Sequence, residues 1–262
     1  MPPVSQLNHN RWIDAARLTD RAGLRLFCFP WSGAGASVYY KWASVFPPGI
    51  ELCPVQLPGR ESRLTEPAFQ HLEPLVEAAG NALLPYLNRP FAFFGHSMGA
   101  LIGFELARWL RRHQHPGPVH LLVSGHNAPQ FPGDYAPIHA LPEPEFIAEL
   151  RRLNGTPDEV LNHAELRDLI VPVLRSDFSV CETYNYTAEA PLSCPISAFG
   201  GLQDVDVSRA KLEAWREQTT GAFSMRLFPG DHFYLLTARH HLLRALALEL
   251  DQTVRGLISG NP

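Results

Sequence analysis

The sequence is short of several things at once, and each shortage removes a class of function. Its 262 residues include only four cysteines, Cys28, Cys53, Cys181 and Cys194. They form no Cys-x-x-Cys pair and no His/Cys cluster at zinc spacing, which argues against a redox dithiol and a structural metal site. Cys28 and Cys53 fall in apolar runs, where a free thiol behaves as a small hydrophobe, so reduced thiols and a cytoplasmic location are expected. No stretch approaches the ~18 apolar residues needed to cross a bilayer. Met1 to Asn10 lack the basic start and apolar continuation of a signal peptide. Charged residues are 18% of the chain and the net charge is −4, which leaves no basic footprint for DNA or RNA. There is no internal repeat, no low-complexity tract, and no glycine-rich loop with dinucleotide or Walker spacing.

What is present is an alternation. Apolar residues make up 45% of the chain, enough for one large α/β domain or a domain with one insertion. Short apolar runs at Leu24–Phe29, Glu51–Val55, Phe91–Phe94, His120–Ser124, Pro195–Phe199 and Phe223–Phe228 read as buried strands. Amphipathic patterns at Tyr40–Phe46, Leu72–Leu87, Ala100–His113, Ser208–Thr219 and Ala238–Leu257 read as helices. Strands alternating with helices predict a mostly parallel central sheet flanked by helices. The rhythm breaks between Ala128 and Pro191, where helical patterns (Glu143–Leu153, Asp158–Leu161, Glu165–Tyr184) occur without a strand. A helical lid inserted at 128–191 into a core of 1–127 and 192–262 is the expected organisation.

One run stands out. Phe91-Ala92-Phe93-Phe94 leads into Gly95-His96-Ser97-Met98-Gly99, and Ala100-Leu101-Ile102 opens an apolar helix. Gly-x-Ser-x-Gly between a strand and a helix is the pattern of a nucleophile elbow, which leaves the serine hydroxyl exposed at a helix N-terminus. Glycines are required at both flanks because a Cβ would meet the neighbouring strand or helix. A plain strand-helix turn with a capping serine is the rival reading.

A serine nucleophile needs a base, and the base a carboxylate, in the chain order serine, acid, histidine for this kind of elbow. Among twelve histidines, His232 follows an apolar strand in Phe228-Pro229-Gly230-Asp231-His232 and is the candidate base. His96 is expected to point away from the serine, and His240 and His241 to lie on a helix surface. Asp204 and Asp206 follow the strand at Ile196–Phe199; Asp204 is favoured because it lies within the turn, and Asp206 is assigned to the N-terminus of the next helix. Asp231 is too close in sequence to reach its neighbour's ring. Stabilising an oxyanion takes two N–H donors. The N–H of Met98 is one, and the small-residue loop Pro30–Ser37 should supply the other.

These residues resemble the stand-alone type II thioesterases of polyketide and nonribosomal peptide synthesis, within the α/β-hydrolase superfamily. The likeness runs through Cys28-Phe29-Pro30, Leu57-Pro58-Gly59-Arg60-Glu61, the elbow, Leu153-Asn154-Gly155-Thr156-Pro157, Arg175-Ser176-Asp177-Phe178 and Pro229-Gly230-Asp231-His232-Phe233. The resemblance implies an α/β-hydrolase fold and hydrolysis of acyl groups from the phosphopantetheine thiol of acyl or peptidyl carrier proteins. It implies a triad of Ser97, Asp204 and His232, oxyanion N–H groups on Ser32 and Met98, substrate contacts at Trp31 and Phe233, and no metal or other cofactor. Trp31 and Ala34 depart from the family's usual residues, and Trp31 is expected to narrow the entrance. Arg60, Arg63, Arg108, Arg111 and Arg112 are candidate contacts for an acidic carrier. Nothing calls for more than a monomer. An oxyester hydrolase and a catalytically silent relative are the alternatives.

Overall fold

The computed structural model describes residues 11–14, 18–19, 22–47, 49–131 and 136–259. Met1 to Asn10, read above for a leader, lie outside them, as do residues 132–135 of the helical insert. The apolar runs form strands β1 (Leu24–Phe29), β2 (Ile50–Pro54), β3 (Phe91–His96), β4 (His120–Ser124), β5 (Ile196–Gly201) and β6 (Phe223–Phe228). Among the described residues they make one sheet in the order β2-β1-β3-β4-β5-β6, with every neighbouring pair parallel. Parallel neighbours need long crossovers. These carry helices α1 (Leu72–Leu83), α2 (Met98–Arg112), α3 (Glu143–Leu153), α4 (Asp158–Asn162), α5 (Ala164–Glu182) and α6 (Arg209–Glu213), and α7 (Tyr234–Thr237) and α8 (Arg239–Ser259) follow β6.

Strands β1, β3, β4 and β5 are buried along their whole length because both faces are covered, whereas the edge strands β2 and β6 are partly exposed. Alternate side chains go to opposite faces. Phe27, Phe29, Phe91, Phe93, Leu121 and Val123 pack with α1, α2 and Trp215. Leu24, Leu26, Cys28, Ala92, Phe94 and Leu122 pack with α8.

Three expected helices are shorter or tighter than the sequence pattern suggests. The helix expected at Tyr40–Phe46 is a 3-10 helix at Ala36–Trp42. Its buried residues, Ala36, Tyr39 and Trp42, recur every third position, which three residues per turn keeps on one face. Beyond α6 the chain again tightens to a 3-10 helix at Ala214–Gln218, and Leu212, Trp215 and Gln218 are buried at the same spacing. Helix α1 ends at Leu83 and passes into a 3-10 turn around Pro85, which lacks the N–H that an α-helix would use there.

Helices α3 to α5 have their own small apolar centre, built from Ile138, Phe146, Leu150, Leu161, Val171 and Leu174. Val180, Cys181 and Tyr184, at the end of α5 and just beyond, join the main core instead.

Topology fixes where chemistry can occur. From β1 the chain goes to one side for β2 and returns to the other side for β3. Such a reversal opens a crevice at the carboxyl ends of the two strands. Phe29 pairs with Gly95, so the loops that carry Ser32 and Ser97 leave the sheet side by side.

At the opposite end of the sheet, His120 is buried between Thr253 (2.8 Å) and Ser197 (2.9 Å), with Glu249 beyond Ser197. Burial pushes the His120 pKa down to about 4, against an attraction to Glu249 that raises it. The folded state therefore binds fewer protons than the unfolded chain, whose histidines titrate near 6.5. Stability from this group is complete above about pH 6.5 and lost as pH falls toward 4, by about 3 kcal/mol at most. Melting temperatures measured from pH 7.5 to 4 should fall steeply, and His120→Asn should flatten that slope.

Candidate active site

The elbow is as tight as its glycines suggest. Ser97 sits at φ 53°, ψ −122°, a conformation that L-residues rarely adopt, and caps the N-terminus of α2. A Cβ on Gly95 would lie 2.0 Å from the Gly99 carbonyl oxygen, and one on Gly99 would lie 2.1 Å from that of Phe29. The Ser97 N–H donates to the Ser124 carbonyl at 2.8 Å, which pins the turn to the end of β4.

Asp204 and His232 come from the loops after β5 and β6. The two strands end paired, Gly201 with Phe228. The loops then run so close that a Cβ on Gly201 would lie 2.3 Å from the Asp231 carbonyl oxygen. His232 Nδ1 and Asp204 Oδ2 are 2.8 Å apart, and the Asp204 side chain is fully buried. Its other oxygen accepts the N–H groups of Asp206 and Val207 at 3.0 Å each, which locks the carboxylate in place. Asp206 faces Arg152 instead, and Ser208 caps α6 rather than Asp206. The Asp231 carboxylate accepts the Phe233 N–H. Exposed His240 and His241 lie on α8.

His96 packs against His232. It is fully buried, its ring centroid is 5.1 Å from that of His232, and its Nδ1 is 2.8 Å from the Ser124 hydroxyl, which also bonds the Tyr234 hydroxyl. Burial first, then the nearness of His232 and His126, hold its pKa well below the usual range. His96 thus stays neutral beside the His232 ring.

Ser97 and His232 line one cavity of about 230 Å³, together with Trp31, Ser32, Phe233 and side chains from α3 and α5. The Ser32 hydroxyl is 3.9 Å from the Met98 sulfur, so the two expected oxyanion residues are neighbours. Trp31 is buried and meets the rings of His96 and Phe233 edge-on. It forms a wall of the cavity. A larger hollow of about 580 Å³ beside β2, lined by Arg11, Asp14 and Glu51 among others, is reached by none of the candidate catalytic residues. The cavity is chemically that of a serine acyl transferase: a hydroxyl at a helix N-terminus, an imidazole held by a buried carboxylate, and apolar walls.

The remaining nucleophiles are silent. Burial raises the pKa of all four free thiols, that of Cys194 to about 11, including Cys181 in the cavity wall. No group of three metal-ligating side chains occurs among the described residues, and no described helix is long and apolar enough to cross a membrane.

Of the arginines expected to meet a carrier, Arg60, Arg63 and Arg108 are buried, while Arg111 and Arg112 remain at the surface. Arg60 and Arg63 are buried and paired with Asp177 and Glu66. Buried Arg108 pairs with Glu105 and Glu189, and Glu189 also takes Arg111 and Arg112. These contacts tie α2 to the chain beyond α5. Sequence reading missed Asp177, although it shares the apolar inner face of α5 with Leu174, Phe178 and Cys181, at spacings of three and four.

Fold and cavity together define a serine hydrolase of the α/β-hydrolase class. The thioesterase domain family matches residues 24–249, and the chain belongs to it. The gramicidin S biosynthesis protein GrsT of Aneurinibacillus migulanus is 48% identical over 247 residues, 94% of this chain and 96% of that protein. The RedJ thioesterase of the prodiginine pathway of Streptomyces coelicolor is 42% identical with a TM-score of 0.82, covering 87% of this chain and 86% of its own. The type II thioesterase BorB of the borrelidin cluster is 35% identical with a TM-score of 0.81, covering 93% and 97%. The chain is a thioester hydrolase, and its near relatives are type II thioesterases.

The contacts at the elbow are backbone to backbone and have no flexible side chain to yield. Gly99→Ala should cost about 3 kcal/mol or more, read as a fall in melting temperature, or prevent folding. Gly103→Ala, whose Cβ would find only contacts of 3.6 Å and beyond, should be nearly neutral in the same measurement.

Proposed function

We propose that this thioesterase hydrolyses acyl groups from the phosphopantetheine thiol of acyl or peptidyl carrier domains, clearing or releasing intermediates in polyketide or nonribosomal peptide synthesis. The observation that carries this reading is the 2.8 Å contact of buried Asp204 with His232, whose ring lines the same cavity as Ser97. The pathway names borne by GrsT, RedJ and BorB support the choice of substrate.

Asp204 holds the His232 ring with Nε2 toward the serine, and Nε2 accepts the Ser97 proton as Oγ attacks the thioester carbonyl. The carbonyl oxygen gathers negative charge against the N–H groups of Ser32 and Met98, the latter reinforced by the N-terminus of α2. The C–S bond breaks, and the thiolate takes the proton from His232. Water then attacks the acyl-serine, giving its proton to His232, which passes it to Ser97 Oγ as the acid leaves. Neither half-reaction calls for a metal ion or redox cofactor. Leu150, Leu153, Leu174 and Phe178 offer the acyl chain an apolar bed, with Trp31 and Phe233 beside the serine. Helices α3 to α5 act as the lid over it. The enzyme works as a monomer in the cytoplasm, where its four free thiols remain reduced.

Ser97→Ala should lower kcat on an acyl-carrier thioester by on the order of 10⁴-fold or more without changing the melting temperature. Asp204→Asn should cost on the order of 10³- to 10⁴-fold, because an amide NH₂ turned to Nδ1 favours the wrong tautomer. Asp206→Asn should stay within a few-fold of the parent. Wild-type rates in Ser97→Ala would remove the serine from the mechanism. Faster turnover of free oxyesters than of carrier thioesters would reassign the substrate, and failure of a fluorophosphonate to label Ser97 would mark a silent relative.

A further inference from the structure

The oxyanion loop is held by a group that the hydrolytic mechanism does not mention. After β1 the chain turns at Gly33, whose φ of 80° takes it out of any sheet ladder. From Trp31 to Ser37 the loop is fixed by side chains from elsewhere. The Ala36 N–H donates to Gln56 Oε1 at 3.1 Å, and the Ser37 hydroxyl to Glu61. The Gly33 N–H donates to Asp177 Oδ2 at 2.7 Å, across 144 residues of sequence. Asp177 lies on α5, the longest helix of the inserted segment.

Asp177 is itself fixed. Arg60 donates to it through both terminal nitrogens, at 2.5 and 2.8 Å, and donates through Nε to the Pro58 carbonyl at 3.1 Å. The two side chains are 7% and 4% exposed, so water does not share the contact. One turn earlier on α5, Leu174 presses on the same loop: a Cβ on Gly33 would lie 2.6 Å from its Cδ2. Leu174, Phe178 and Cys181 also line the cavity, so one face of α5 meets both the acyl site and the oxyanion loop.

A buried ion pair is a poor source of stability, because desolvating two charges offsets most of their attraction. Its value here is positional. The Ser32 N–H belongs to the peptide just before the one Asp177 grips, so its aim depends on where Gly33 is pinned. We propose that Asp177 is a positioning residue for the Ser32 oxyanion donor, and that through it the seating of α5 sets the rate of hydrolysis. Arg60 orients Asp177. An acyl group that lets α5 seat fully gains rate, and one that displaces α5 loses it, with little change in binding.

This inference rests on the thioesterase reading, and the test separates the two. Two double variants remove both buried charges together: R60M/D177L, which leaves Gly33 without an acceptor, and R60M/D177N, which restores a neutral one. With a thioester that the parent enzyme hydrolyses, R60M/D177L should keep a parental KM within about threefold and lose on the order of 10²- to 10³-fold in kcat, the usual effect of a lost oxyanion donor. R60M/D177N should be at least tenfold faster than R60M/D177L. Equal kcat values for the two variants, or parental kcat in R60M/D177L, would overturn the proposal. If R60M/D177L does not fold, R60M/D177A takes its place: a kcat at least tenfold below that of R60M/D177N at parental KM supports the role, and a smaller difference overturns it. A parent enzyme that hydrolyses no thioester would instead refute the function proposed above.

Discussion

The whole molecule depends on the absence of two Cβ atoms. Gly95 and Gly99 let β3 turn into α2 so sharply that the Gly99 carbonyl oxygen comes within 2.0 Å of where a Gly95 Cβ would stand. The same close approach brings the start of α2 against the end of β1, so the helix N-terminus and the Ser32 loop face one another. The parallel register does the rest at the other side of the crevice, where β5 and β6 finish together and deliver Asp204 and His232 as neighbours. Backbone contacts rather than side-chain preferences set these distances, which is why the strained φ of Ser97 persists.

Apolar burial and buried charge divide the work. The two clusters on the faces of the sheet supply the driving force for folding, since hydrophobic burial scales with area and tolerates small shifts. Arg60–Asp177 and the Glu105–Arg108–Glu189 group add little net stability for their desolvation cost, but they are directional. Each joins the central domain to α5 or to the chain just beyond it. The helical segment is therefore held in register by charge, over a small apolar centre of its own.

Much of this was legible in the sequence, for physical reasons that can be named. The strands were visible because burial on both faces makes the inner ones largely apolar, and all six begin within one residue of the expected position. The elbow was visible because its geometry tolerates only glycine at two positions. Asp204 could be preferred to Asp206 from its place in the turn, and the structure pairs Asp204 with His232. The 3-10 helix at Ala36–Trp42 was expected four residues later, at Tyr40–Phe46, because over so short a length the apolar spacing does not fix where a helix begins. The partners of the arginines were not legible, because charge in a sequence carries no sign of its partner: Arg60 meets Asp177 only after 117 residues of chain have folded back. The contact between the His96 and His232 rings was likewise hidden, because sequence adjacency to Ser97 says nothing of the ring that arrives from the loop after β6.

The neutral histidine under the site has one more consequence. Burial first, then the nearness of His232 and His126, keeps His96 uncharged, with its tilted ring 5.1 Å from that of His232. The floor beneath the cavity therefore presents no positive charge from His96 to the groups packed above it.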